Sequence, residues 1–394
     1  MFYGVICNIY KQNMKIKPLF FAVVICSITD VSCKSNAKSS TTDSTVAIKT
    51  DTTIKKETSA KTADNIKPKG ATPSWAPDIK PQMQAVIEKL VSYGDKPIET
   101  LTAVEARKNH TPTDAVMDLI KENNIPMPVF NVDTTGKDIP VAGGNIHLRI
   151  YTPKIGNGPF PVIVYYHGGG FVIANLDVYD ASAKTLSDKV GAVVVSVAYR
   201  LAPEYKFPVA HNDSYAAYKW VVNNAASIKG DPKKIAVAGE SAGGNLAINM
   251  AIMARDKGVA LPVHILAVYP VAGSDMTLPS YTKNAAAKPL NKPMMMWFVK
   301  NYLNSMAEGK DPRINLVDAN LKGLPPTTII TDEIDPLQSE GMTLADKMKA
   351  AGVTVDSKNY DGVTHEFFGM GAIVPQAKDA EIYAVDGLKK AFGM

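Results

Sequence analysis

Apolar positions along the chain follow three regimes. Residues 19–28 form one apolar block directly after Lys15 and Lys17. Residues 34–72 are Ser, Thr, Lys, Asp and Ala with hardly an aromatic or large aliphatic side chain. Such a stretch cannot bury enough surface to offset the entropy of ordering it, so a flexible tether is predicted there. After Trp75 the spacing becomes helical, with Met83, Val86, Ile87, Leu90 and Val91 marking one face and Ala115, Met117, Leu119 and Ile120 another, which places two or more helices before the first strand. From about residue 139 the pattern turns to the alternation Ile146, Leu148, Ile150 and then to short apolar runs at 162–166, 193–197, 235–238, 265–269, 327–331 and 353–355, bounded by Gly, Pro and Asp. Continuous β-branched runs alternating with helical stretches predict an α/β fold whose mostly parallel central sheet is flanked by helices on both faces.

Composition narrows the function. The 394 residues are 46% hydrophobic and 21% charged, which suits a sizeable globular core and excludes collagen-like or fully disordered chains. The net charge of +5 is concentrated at the start: residues 1–72 hold 11 Lys against 5 acids, leaving 32 basic and 33 acidic residues in the body. With no basic run or aromatic–basic interleaving in that body, nucleic acid is not an expected partner. Cys7, Cys26 and Cys33 are the only cysteines, so the body holds no internal disulfide and no thiolate metal site. The charged residues before the apolar block, and Val31-Ser32-Cys33 after it, read as a signal peptide over residues 1–33, too short for an ordinary transmembrane helix. It resembles a bacterial lipoprotein signal in which Cys33 carries the lipid, with Asp30 standing where such signals have an aliphatic residue. A plain secretory signal cleaved before about residue 40 is the alternative. The protein is expected to be exported in both cases: held at the cell envelope as a lipoprotein whose only membrane contact is Cys33, or secreted or periplasmic if the signal is a plain one.

Two motifs carry chemistry. Gly239-Glu240-Ser241-Ala242-Gly243 lies between the apolar run at 235–238 and a helical stretch through Leu246, Ile248, Met250 and Ile252. That is the strand-to-helix context in which a Gly-x-Ser-x-Gly turn exposes a serine hydroxyl at the end of a sheet. His167-Gly168-Gly169-Gly170 directly follows the run at 162–166, and its glycines let backbone N–H groups converge on a bound carbonyl. A phosphate cradle is excluded, because no Gly-Lys-Ser/Thr follows and no Gly-x-Gly-x-x-Gly opens a helix. A serine nucleophile needs a base and an acid to orient it. Of the six histidines, His365 sits in a loop after the run around 353–360. His147 and His264 lie in strand-like runs, His110 among the early helices and His211 in the loop after Pro208. For the acid, position alone leaves Asp332, Glu333 and Asp335 open.

Together with Tyr199-Arg200-Leu201-Ala202-Pro203-Glu204, Phe207-Pro208, Asp335-Pro336-Leu337 and His365-Glu366-Phe367, these motifs make residues 75–394 resemble the bacterial esterases related to hormone-sensitive lipase, in the α/β-hydrolase superfamily. The order Ser, Asp, His is that of the superfamily. The resemblance implies an α/β-hydrolase domain over residues 73–394, with a helical cap from 73–130 and about 273–306. It selects Asp335 as the acid, leaves Asp332 as a loop or capping residue, and gives His167 the support of the glycine loop. Glu240 stands where many relatives carry Asp and keeps the charge. In the insertion, Met294, Met295, Met296, Trp297, Phe298 and Tyr302 are expected to pack between cap helices. The implied activity is a serine carboxylesterase acting on short- to medium-chain esters through an acyl-enzyme, with Ser241, His365 and Asp335 as the triad. The N–H groups of Gly169, Gly170 and Ala242 form the oxyanion hole, and no cofactor or metal is required. A peptidase or amidase on the same fold and a non-catalytic surface binding protein are the alternatives.

Overall fold

The computed structural model describes residues 63–394. The signal segment, Cys33 and residues 34–62 lie outside the described residues. The packed body starts ahead of residue 73, earlier than the predicted end of the tether: Ile66 is buried, and the N–H groups of Lys69 and Gly70 donate to Glu88 at 2.6 and 3.0 Å. Gln84 Nε2 donates to the carbonyls of Gly70 and Ala71. Polar side chains on the helix Pro81–Ser92 thus take up backbone groups of a segment too polar to show as structure in its own pattern.

One eight-stranded sheet organises the molecule. Its strands are β1 (Val132–Val141), β2 (Gly144–Pro153), β3 (Phe160–Tyr166), β4 (Val193–Ala198), β5 (Gly230–Glu240), β6 (Ile265–Val268), β7 (Thr327–Ile334) and β8 (Val355–Thr364), in the order β1-β2-β4-β3-β5-β6-β7-β8. β1 pairs antiparallel with β2, and β2 antiparallel with β4. Every other pair is parallel. β1 has no counterpart among the predicted runs, because this edge strand buries little beyond Val132 and Ile139. β8, at the other edge, extends well past the run at 353–355 through mostly polar residues.

Successive strand side chains point to opposite faces, and the sheet uses this to build two cores. Val162, Val164 and Tyr166 of β3 join Val193, Val195 and Val197 of β4 and Ile235 and Val237 of β5 on one face, beneath the helices Val209–Asn224, Ala242–Asp256 and Gln338–Ala350. Ile163, Tyr165, Val194, Ala236 and Ala238 belong to the other, with the helices Pro81–Ser92, Pro112–Glu122, Asp180–Val190 and Pro375–Phe392. This double cover is why the central strands read as unbroken apolar runs. On the two early helices, Val91 and Met117 face solvent, and Val116 is buried in place of Met117. No helix of the described residues is long and apolar enough to cross a membrane.

The segments predicted to cap the sheet contain the helices Pro81–Ser92, Ala103–Ala106 and Pro112–Glu122 on one side and Pro279–Lys283 and Lys292–Tyr302 on the other. They are tied together where Trp297 Nε1 donates to the carbonyl of Leu101 at 3.0 Å.

Candidate active site

β5 ends at Glu240, and the helix Ala242–Asp256 begins two residues later. Ser241 between them is held at φ +57°, ψ −118°, a backbone conformation a non-glycine residue adopts only when its surroundings impose it. Those surroundings are its N–H donating to Val268 and its carbonyl accepting from Val271. The turn is so tight that a Cβ on Gly243 would sit 1.9 Å from the Tyr166 carbonyl oxygen. The glycine spacing of the motif is therefore a steric requirement.

Asp335 follows β7 and His365 follows β8, so the three side chains meet at the C-terminal ends of the parallel strands β5, β7 and β8. His365 Nε2 lies 2.9 Å from Ser241 Oγ, and its Nδ1 lies 2.7 Å from Asp335 Oδ2. With Nδ1 donating to Asp335, Nε2 is left to accept from Ser241. Asp335 Oδ1 accepts from the Leu337 N–H at 2.8 Å. All three side chains are buried. Burial alone pushes the His365 imidazole down, but the charge and hydrogen bond of Asp335 and the charge of Glu366 outweigh it and hold its pKa above the ordinary 6.5.

The other acids separate cleanly by environment. Asp332 lies inside β7, not in a loop or cap, fully buried and with neither carboxyl oxygen hydrogen-bonded. Burial and the Asp335 charge push its pKa well up. Glu333 pairs with Lys283 and accepts from the Gly362 N–H. Glu340 Oε1 accepts from the N–H groups of Ala272 and Gly273, and burial pushes its pKa up to about 8. Asp332, Asp335 and His365 bring one ligand-type atom each within 4.8 Å of one another, but the His365 and Asp335 atoms there already bond to each other.

The remaining histidines are accounted for by packing. His167 donates from Nδ1 to the Gly168 carbonyl and stacks on Tyr199, whose hydroxyl donates to the His167 carbonyl. His211 lies within the helix Val209–Asn224 and not in a loop, buried between Tyr302 and Asn245. Burial pushes both imidazoles down to about 4. His264 is buried against Thr328, His147 lies on the exposed face of β2 against Asp138, and His110 pairs with Asp95. Arg200 forks onto Asp213 through Nε and Nη2.

Above the serine lies a cavity of about 630 Å³ lined by Ser241, His365, Gly169 and Gly170 below and by Met294, Met295, Phe298 and Tyr302 from the insertion. Gly169 and Gly170 have φ of +97° and +59°, and a Cβ on Gly170 would lie 2.2 Å from the Phe298 ring. The helix Lys292–Tyr302 thus lies directly on the glycine loop. Four of the six residues expected only to pack line the cavity, Trp297 anchors the cap, and Met296 is exposed. Ala242 opens the elbow helix and is buried.

Glu240 and Glu366 fall within the motifs around Ser241 and His365, but no sequence pattern marks their tyrosine partners. Glu240 is buried and accepts from the hydroxyls of Tyr165 and Tyr269, each at 2.5 Å. Burial pushes its pKa up to about 7, against the lowering effect of the two tyrosines. Glu366 accepts from the Tyr179 hydroxyl at 2.6 Å. Its only signal in sequence is adjacency to His365.

Residues 163–369 match the model of a family described by its α/β-hydrolase fold. The carboxylesterase NlhH of Mycobacterium tuberculosis is 36% identical to this chain over 321 residues, 80% of this chain and 97% of its own. An ethyl acetate hydrolase of Pseudomonas putida is 29% identical over 80% of this chain and 99% of its own. Among solved structures, a hyperthermophilic esterase from the archaeon Pyrobaculum calidifontis is similar with a TM-score of 0.72 and 34% identity, covering 79% of this chain and 98% of that one.

Proposed function

Since the chain belongs to the hormone-sensitive-lipase-like esterases of the α/β-hydrolase family and is a carboxylic ester hydrolase, we propose that it works through Ser241 as nucleophile, His365 as general base and Asp335 as the acid that orients it. The observation that carries this reading is the unbroken chain of short contacts, 2.9 Å from Ser241 to His365 and 2.7 Å from His365 to Asp335. Ser241 Oγ attacks the ester carbonyl as its proton passes to His365 Nε2, and the imidazolium then protonates the leaving alcohol. The N–H groups of Gly169, Gly170 and Ala242 hold the oxyanion, and the positive end of the helix Ala242–Asp256 adds to them. Water then hydrolyses the acyl-enzyme.

The apolar cavity of about 630 Å³ under a helical cap supports a preference for acyl chains of about two to eight carbons. A nitrophenyl ester series from acetate to palmitate, run with and without Ser241→Ala, tests both proposals. Turnover should peak in the short to medium range and fall to a small residual rate in the variant. A preference for long-chain emulsified triglyceride overturns the size assignment.

The export signal leads to a further proposal, that the enzyme is held at the envelope through a lipid on Cys33. Cys33→Ala is expected to move the protein from the membrane fraction to the soluble fraction at unchanged specific activity. Stable anchoring needs more than one acyl chain, so intact-mass analysis should show a multiply acylated N-terminus. An unmodified N-terminus downstream of Cys33 excludes the anchor.

A further inference from the structure

The residue after the base sits in an unusual position. Glu366 has φ +72°, in the left-handed region that a glutamate rarely occupies. Its side chain is fixed by the Tyr179 hydroxyl, which donates to Oε1. That same oxygen stands 3.9 Å from His365 Nε2, the nitrogen that faces Ser241. The gap is too long for a direct hydrogen bond, but one water about 2.8 Å from each atom can bridge it. Strained backbone and a buried tyrosine clamp therefore hold a carboxylate beside the atom that must deprotonate water in the second half of the reaction.

A second feature offers a route for the water. Tyr179 and Glu366 line the cavity above Ser241 and also a separate cavity of about 910 Å³ behind it, where Ser182, Glu240 and Glu381 contribute polar groups. An acyl group filling the apolar front cavity displaces water from it, whereas the rear cavity keeps a polar approach to the same two side chains.

We propose that Glu366, held by Tyr179, positions the water that hydrolyses the acyl-enzyme. This rests on the Ser241–His365 reading above. The water donates one hydrogen to His365 Nε2 and the other to Glu366. As its oxygen bonds to the acyl carbon, His365 takes the first proton. Collapse of the tetrahedral intermediate breaks the bond from the acyl carbon to Ser241 Oγ, and the proton on His365 passes to that oxygen, releasing the carboxylic acid. Glu366 accepts a hydrogen bond throughout and gains no proton. During acylation the ester, not water, occupies the space above Ser241, so this role belongs to deacylation alone.

The test is a rapid-mixing study of nitrophenyl acetate hydrolysis by the full chain and by Glu366→Gln, which keeps the shape but is a poorer acceptor. Rates are measured at a pH above the acid limb of the pH–rate profile, where the effect of the Glu366 charge on the His365 pKa no longer changes the neutral fraction of the imidazole. The expected result is a kcat about 10-fold lower or more with KM falling in proportion, kcat/KM within about 2-fold of the parent, and a burst of nitrophenolate equal to the enzyme concentration. Tyr179→Phe, which leaves Glu366 unclamped, should show the same split at smaller amplitude and covers the case in which the glutamine variant fails to fold. If kcat/KM falls with kcat and no burst appears, Glu366 acts on both half-reactions or only on structure, and the proposal is overturned. Ser241→Ala run alongside keeps the two readings apart: near-normal turnover in that variant defeats the nucleophile assignment, whatever Glu366→Gln does.

Discussion

Ser241→Ala is expected to lower kcat/KM for a short-chain nitrophenyl ester by about 10³-fold or more, leaving the residual rate that binding and oxyanion contacts provide. The size of the effect follows from the geometry. Ser241 Oγ is the only group of the motif within 2.9 Å of the imidazole, and no cysteine exists in the body to substitute for it. The backbone at φ +57° carries its strain whether the side chain ends in a hydroxyl or a methyl group, so the variant should melt at the temperature of the parent. Loss of activity with unchanged Tm would therefore report chemistry and not unfolding. Near-normal turnover would defeat the assignment and direct attention to a different nucleophile along the cavity wall.

What was legible in the sequence tracks how strongly each element is buried. β3 to β7 are covered on both faces, and their apolar runs stand out. β1 lies at an edge, exposes most of its side chains and left no run to read. The serine turn was legible because sterics demand glycine at two fixed offsets, as the Tyr166 carbonyl beside Gly243 illustrates. Asp335 was not separable from Asp332 by position, since both lie near the end of β7 and only direction distinguishes them. Family resemblance selected Asp335, and in the structure it is the carboxylate that His365 Nδ1 meets. The tyrosine–glutamate contacts at Glu240 and Glu366 left no pattern, because their partners Tyr165, Tyr179 and Tyr269 come from distant parts of the chain.

The same pair of aspartates yields the second large effect. Asp335→Asn should lower kcat by about 10³ to 10⁴-fold, because an amide can accept from or donate to the imidazole and so admits the tautomer with its proton on Nε2, where it cannot take one from Ser241. The acid limb of the kcat/KM profile should move as well. The imidazole must be neutral to act, so that limb follows the free-enzyme pKa of His365, which Asp335 helps to hold above 6.5. Removing the charge should shift the limb to lower pH. Asp332→Asn should do neither, because burial and the Asp335 charge push Asp332 toward its neutral form, which the amide resembles in charge and shape. Its effect belongs to stability. A carboxyl whose folded pKa is raised above its unfolded value near 3.9 binds more protons when folded, so the parent loses stability as pH rises from about 4 through the folded pKa. The amide of the variant carries no such proton, so Asp332→Asn should gain on the parent across that range and be the more stable at neutral pH. Urea titrations at pH 4 and pH 7 measure the gain, and pH–rate profiles measure the limb. A severe kinetic loss in Asp332→Asn with a mild one in Asp335→Asn would exchange their roles.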